Sequence, residues 1–404
     1  MQLAGGGSYS FPGVLIIKRD EKSLRQHGNK MKKTIVGFTT VLGLGLASTA
    51  HAQSSVTLYG IIDDGLTYAS NVGGHSQYAL ASGISQGSRW GLQGTEDLGG
   101  GLSAIFRLEN GFNLSTGALG QASREFGRAA FVGLSSTQYG TVKLGRQNEM
   151  MGDYLGLYTS NGNWGILNMH PGDLDNTGID FRINNALRYD SPSFFGVKGS
   201  ALFSFGGVAG DFNRDTVKSF GLNYVAGGLG VSGAYTEINR PAEATNEGVW
   251  TAANPIDGNY GIAAAKYQTF GVASQYTFGK AKVGVNWTNT KFLGLNPLLG
   301  ADIGGHVTFN IIEVLGSYMI SPALQVGADY NYTDGKVSFG DKSPRYHTGG
   351  VIIDYFLSKR TDIYAQASYM RAVGDAKVAG LLPTVGASSD LSQLAIRVGM
   401  RVKF

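Results

Sequence analysis

Leu394-Ala395-Ile396-Arg397-Val398-Gly399-Met400-Arg401-Val402-Lys403-Phe404, the end of the chain, decides the fold. Leu394, Ile396, Val398, Met400, Val402 and Phe404 fall on one side of an extended backbone, and Ala395, Arg397, Gly399, Arg401 and Lys403 on the other. Side chains of a strand alternate with period two, so this is a β-strand with one apolar and one wet face. Residues 282–288 repeat the pattern, with Val283, Val285 and Trp287 against Lys282, Gly284, Asn286 and Thr288. In 324–332, Leu324, Val326, Ala328, Tyr330 and Tyr332 oppose Gln325, Gly327, Asp329 and Asn331. A soluble sandwich would bury the apolar face under a second sheet, but these polar faces are too wet and too often Gly for the outside of such a fold. An apolar exterior around a polar interior is what a lipid-embedded barrel needs, because closure pairs every backbone donor and acceptor.

Composition agrees. The 404 residues include 62 Gly, 20 Tyr and 20 Phe, only 9 Pro and no Cys, and 15% are charged against about 25% in an average soluble domain. Glycine without a three-residue repeat and without Pro excludes collagen, and the aromatic content argues against disorder. Absence of Cys excludes disulfides, thiolate metal sites and a Cys nucleophile. After residue 52 the histidines are His75, His170, His306 and His347, none at metal-ligand spacing and none beside a nucleophile motif. No phosphate-binding Gly loop stands out. The expectation is therefore neither an enzyme nor a holder of cofactor or metal.

Met31-Lys32-Lys33, the apolar run Ile35 to Ala47 and the small-x-small triplet Ala50-His51-Ala52 read as a cleaved export signal over 31–52. Residues 1–30 fit no targeting logic and are expected to be an extension upstream of the true start, leaving 53–404 as the barrel domain. Residues 1–52 hold seven Lys/Arg and two Asp/Glu, so the rest carries 26 basic and 27 acidic side chains. The basic character of the full sequence thus belongs to its leader, and nucleic acid is not an expected partner.

Connections alternate in length. Short turns lie at 97–101, 138–140, 191–193, 226–228, 279–280, 321–322 and 358–360. Longer polar stretches lie at 70–86, 112–123, 148–180, 240–260, 293–303 and 374–390. Seven short turns with long loops at the opposite end predict sixteen antiparallel strands.

Several blocks resemble the opening strands of Gram-negative general porins, closest to those of β-proteobacteria. They are Ser55-Val56-Thr57-Leu58-Tyr59-Gly60, Gly87 to Gly99 with Arg89-Trp90-Gly91 near its start, Phe106-Arg107-Leu108-Glu109-Asn110-Gly111-Phe112, Phe126 to Leu134, and Leu144-Gly145-Arg146-Gln147. The final strand ending in Phe404 matches too. The resemblance implies a homotrimer of sixteen-stranded barrels in the outer membrane, with short periplasmic turns, long extracellular loops and a third loop folded into the lumen. It implies passive diffusion of ions and small hydrophilic solutes, and contact with outer-membrane lipid and lipopolysaccharide. Phe404 occupies the place of the aromatic residue read by the barrel-assembly machinery.

The third loop, about 147 to 179, contains Glu149, Asp153, Asp173 and Asp175, followed by Asp180, and no Lys or Arg. Charges ringing a narrow aqueous passage set ion preference, so an acidic loop calls for basic groups opposite. Strand parity turns Arg89 inward, opposite to Trp90 and Leu92. It turns Arg107 and Glu109 inward against Phe106 and Leu108, Arg128 against Ala129 and Phe131, and Arg182 and Arg188 against Ile183, Leu187 and Tyr189, with Asn185 out of step. Arg146 would face lipid by simple alternation, at a cost of about 2–4 kcal/mol, so a bulge near Gly145 is expected to re-aim it. The expected constriction is Arg89, Arg146, Arg182, Arg107 and Arg128 with Glu109, facing Asp153, Asp173 and Asp175. A channel specific for small anionic metabolites is the alternative; a sugar track is disfavoured because most aromatics assigned by parity point outward.

Overall fold

The computed structural model describes residues 54–252, 254–296, 304–381 and 386–404. The extension at 1–30 and the export signal at 31–52 lie outside the described residues. Strands follow along the chain as β1 Ser55–Val72, β2 His75–Leu80, β3 Arg89–Gly99, β4 Leu102–Gly111, β5 Ala129–Ser136, β6 Gly140–Gln147, β7 Ile183–Asp190 and β8 Val197–Ser204. They continue as β9 Val217–Ala226, β10 Leu229–Asn239, β11 Lys266–Phe278, β12 Ala281–Leu295, β13 Gly305–Ser321, β14 Leu324–Val337, β15 Pro344–Phe356, β16 Thr361–Gly374 and β17 Ser392–Lys403.

Every pairing is antiparallel, and β1 closes on β17 from Ile61 opposite Lys403 to Ala69 opposite Ala395. β2 and β3 occupy one place in the ring. Both pair with the same edge of β1, β3 along Ser55–Ile61 and β2 along Leu66–Val72. The barrel therefore has sixteen staves, one of them interrupted by an excursion at 81–88. All seven short turns expected from the sequence connect paired strands at one end. The supposed loop 70–86 is instead mostly strand: β1 runs on to Val72, turns at Gly73-Gly74 with φ +59 and +101, and returns as β2. Beyond the hydrocarbon no face need be apolar, so this part of the hairpin carries no alternation to read.

Inside and outside follow the period-two reading. Arg397 is 0% exposed and its neighbour Val398 61%; Asn286 is 1% exposed and Val285 44%. At the seam the Phe404 backbone exchanges two 3.0 Å hydrogen bonds with Gly60, and its ring occupies the space that a Gly60 side chain would fill. On the lumen side of the same seam, Arg397 donates to Asp63 at 3.0 Å and to Thr67 at 2.9 Å, and both members of the ion pair are fully buried.

One interior feature has no counterpart in the sequence reading. Tyr267, Phe292, Phe309 and Tyr346 point inward at the long-loop end of β11, β12, β13 and β15. The connection 240–265, with helical turns at Pro241–Ala244 and Gly258–Ala263, covers them. Trp250 lies 5.9 Å from Phe292 and Tyr260 5.7 Å from Phe309 between ring centroids. These inward aromatics are sealed beneath the connection and form no exposed track.

Candidate functional site

Five successive stretches of the wall place charged side chains at mid-barrel. Arg89 opens β3, Arg107 and Glu109 lie on β4, Arg128 precedes β5, Arg146 lies near the end of β6, and Arg182 precedes β7. Glu109 is the hub. Arg107 Nη2 and Arg128 Nε each donate to it at 2.8 Å, the Tyr59 hydroxyl donates at 2.7 Å, and Arg89 Nη1 stands 4.0 Å away. Arg107 also donates to Tyr59 at 2.6 Å and lies over its ring. Three guanidiniums around one carboxylate leave net positive charge facing the lumen.

The second half of the cluster depends on a distortion. Gly145 is opposite Ala186 but Gln147 is opposite Ile183, so β7 holds one extra residue at Asn184-Asn185. Gly145 takes φ +129 and Asn185 φ +50. The irregularity lies at Gly145–Gln147, near where a bulge was expected, with the extra residue on the β7 side, and it accounts for Asn185 being out of step. It also turns Ile183 into the buried core, where plain alternation put it outside. Arg146 consequently reaches Glu247 at 2.5 Å, the Gly127 carbonyl at 2.7 Å and Asn184 at 2.6 Å. The Arg182 backbone N–H donates to the same Glu247 at 2.9 Å and its Nη1 to the Asp180 carbonyl at 3.3 Å. Among the described residues no carboxylate lies within 4 Å of the Arg182 guanidinium. Glu247 comes from the distant connection 240–265, and nothing local in the sequence pointed to it.

β5 departs from the expected parity. Val132 and Leu134 are the exposed residues, so Phe131 faces the lumen, where Lys143 packs over its ring. Arg128 reaches Glu109 because it lies in the bend before the strand, not through alternation.

The third loop, 148–182, does fold inside, running along the covered inner wall. Tyr154 bonds Ser200 of β8 at 2.5 Å and Tyr158 donates to Asn223 of β9 at 2.6 Å. The Ser160 N–H donates to Glu313 of β13 at 3.1 Å, and Asn168 donates to Asp329 of β14 at 2.6 Å. Gln366 of β16 donates to the Trp164 carbonyl at 2.5 Å. At the tip, Ile166 N–H bonds the Ile84 carbonyl in the excursion 81–88 at 2.8 Å. Inward glycines make the seat: a Cβ at Gly327 would lie 2.5 Å from the Trp164 ring, and one at Gly350 2.2 Å from Asn168.

This course corrects the expected acidic half of the constriction. Asp175 is buried, bonded to His170 at 2.7 Å, to Thr288 at 2.6 Å and to Thr177 at 2.9 Å. Burial opposes its charge, but His170 beside it holds the carboxyl below the usual range. Burial would likewise lower His170, yet Asp175 and Glu313 on either side raise it well above the ordinary imidazole value. Asp173 accepts from the N–H groups of Gly178 at 2.7 Å and Asp180 at 3.1 Å, tying the loop's return. Burial, with Asp180 and Asp175 nearby, pushes its carboxyl well above the usual range. Glu149 accepts from Gly152 N–H at 3.0 Å and Asn176 at 2.8 Å. Asp153 pairs with Arg188 at 2.5 Å, in a separate group with Asp190 and Lys143. Backbone donors of a helical loop and the polar inner wall compete for these acids more effectively than the lumen does. Neither Asp173 nor Asp175 faces the Arg cluster. Asp180 is the loop acid nearest to it, and burial, partly offset by Arg182, lifts its carboxyl to about 6.

Comparison with known proteins gives consistent matches. The sequence model described as Gram-negative porin matches residues 39–375. An outer membrane porin protein of Bordetella pertussis is 32% identical over 93% of this chain and 100% of its own length. Outer membrane porin protein 32 of Delftia acidovorans is 30% identical over the same shares. Among solved structures, the anion-selective porin from Comamonas acidovorans superposes with a TM-score of 0.69 at 26% identity, covering 87% of this chain and 100% of that one.

Proposed function

Because this chain belongs to the Gram-negative porin family and forms a diffusion channel in the outer membrane rather than an enzyme, we propose that its narrow passage favours small anions. The observation carrying this reading is an imbalance at mid-barrel. Arg89, Arg107, Arg128, Arg146 and Arg182 converge there, and their carboxylate neighbours are Glu109, Glu247 and Asp180. The remaining acids of the third loop are engaged in holding the loop. Positive excess in a low-dielectric constriction concentrates anions and repels cations. The similarity to a porin described as anion-selective supports the same sign. Replacing Arg89 and Arg182 together with Ala should move the zero-current potential in a KCl gradient toward the cation side and raise conductance. An unmoved potential would place these residues away from the narrow point.

A second reading, a channel specific for small anionic metabolites, draws on Arg182, whose guanidinium lacks a carboxylate partner. It requires that a dicarboxylate block chloride current saturably, and a linear response would exclude it. We further infer a homotrimer. Asp64 lies on the outer face of β1, opposite Met400, with Ser115 donating to it at 2.7 Å. A carboxylate on that face is better covered by protein than by hydrocarbon. Migration of unheated protein as a single-chain species after mild solubilisation would refute the trimer.

A further inference from the structure

A cavity of about 330 Å³ lies where the return of the third loop meets the connection 240–265. Its lining comes from the long connections, so it stands on the long-loop side of the Arg cluster. Gln121, Gly172, Asp180, Glu247, Thr251 and Asn254 are part of its wall. Two carboxylates at this place work against an anion-favouring passage, yet both present oxygen atoms that the protein leaves unmet.

Glu247 divides its two oxygens. Oε1 accepts from the Arg182 N–H at 2.9 Å and pairs with Arg146 Nη2 at 2.5 Å. Oε2 is buried and accepts nothing, although it belongs to a side chain that is only 1% exposed. Asp180 is used through its backbone. Its N–H donates to Asp173 at 3.1 Å and its carbonyl accepts from Arg182 Nη1 at 3.3 Å, while its carboxylate has no hydrogen-bond partner among the described residues. A buried carboxylate oxygen without a donor is destabilising, and in a polar cavity it marks where a donor from outside can be held.

Cations stand directly beside these acids. The Arg182 guanidinium carries an Nε without a partner and has no carboxylate within 4 Å among the described residues. Gln121 leads from the cavity wall to the side of Arg128: a Cβ at Gly111 would lie 2.2 Å from Gln121 Oε1 and 3.0 Å from Arg128 Cδ. Because Glu247 itself bonds the backbone of Arg182, the unmet acid and the unmet base are adjacent groups. Their spacing suits opposite charges carried on neighbouring atoms of a solute, not at the two ends of a long chain.

We propose that this cavity is a two-point site for the zwitterionic head of an α-amino acid, its ammonium group donating to Glu247 Oε2 and the Asp180 carboxylate and its own carboxylate meeting Arg182. The site rests on the anion-favouring reading of the Arg cluster and adds to it a solute of no net charge. A plain carboxylate meets Arg182 but is repelled by both acids, and an ω-amino acid cannot place both of its ends at once. The test records the refolded mature chain in planar bilayers at neutral pH, with norleucine, its isomer 6-aminohexanoate, or hexanoate added on the long-loop side. Norleucine should interrupt chloride current saturably, at a half-blocking concentration roughly tenfold or more below those of the other two. Asp180→Asn and Glu247→Gln should each raise that concentration roughly tenfold. The Asp180 carboxylate bonds nothing within the protein, so its variant keeps the test decisive where the Glu247 variant fails to fold. Equal block by hexanoate would leave a plain anion site and overturn the proposal. Equal block by 6-aminohexanoate, or norleucine block unchanged in Asp180→Asn, would do the same. The zero-current potential in the same bilayers separates the two readings. A channel that favours chloride but is not blocked by norleucine defeats the amino-acid site alone, whereas one without chloride preference defeats both.

Discussion

The two inner walls of this barrel obey the same alternation and use it in opposite ways. From β3 to β7 the inward positions carry Arg and Glu gathered into ion-paired clusters, in which Arg107 is the most exposed at 39% and Glu109 is buried. From β8 to β16 they carry Gly, Thr, Asn and buried aromatics, and the third loop and the connection 240–265 lie against them. An inward position is thus not necessarily a wet one. On the covered wall a small residue marks where a loop side chain is seated, and on the other wall the charged residues pair with one another.

The two walls should therefore respond differently to change. Deleting 150–178 should have the largest effect, raising conductance and the size limit for uncharged sugars while exposing the covered wall. Unchanged sugar permeation would mean that the loop does not narrow the passage. Trp164→Ala removes a side chain that is 2% exposed and packs with Leu315 and Ile352. It should cost about 3–5 kcal/mol of loop anchoring, seen as faster proteolysis at 150–178, without reversing ion preference. Gly327→Leu overfills the seat of the same ring and should cost about 1–3 kcal/mol in denaturant unfolding. Gly94→Leu, on the Arg-bearing side but facing outward, should leave proteolysis of the loop unchanged. The smallest effect concerns pH. Asp180 is charged above about 6 and neutral below it, so acidification through that range removes a negative charge beside Arg182. Anion preference should rise as pH falls through 6, and a flat zero-current potential between pH 7 and 5 would separate Asp180 from the passage.

Much of the Arg-bearing wall was legible in the sequence. Arg89, Arg107 and Glu109 lie on strands whose alternation is unbroken, so parity alone turns them inward. Arg146 could be read because its apparent exposure to lipid was too costly to accept. Phe131 and Ile183 were misplaced because each lies next to an irregularity, a bend before β5 and the extra residue of β7, and one added residue inverts every assignment beyond it. The loop acids were misjudged for another reason. Charge in a loop shows that solvent or a partner is needed, but Asp173 and Asp175 find theirs in backbone N–H groups, His170 and Thr288. Glu247 could not be found at all, since it lies 65 residues from Arg182 in the chain.

Period-two polarity and seven short turns were enough to determine a lipid-facing barrel and its strand number, because those features follow from backbone hydrogen bonding in hydrocarbon and are local. Which loop acids meet the passage and where Arg146 and Glu247 join were decided only on closure. These depend on contacts between residues far apart in the chain, and a linear pattern carries no record of distance across a lumen.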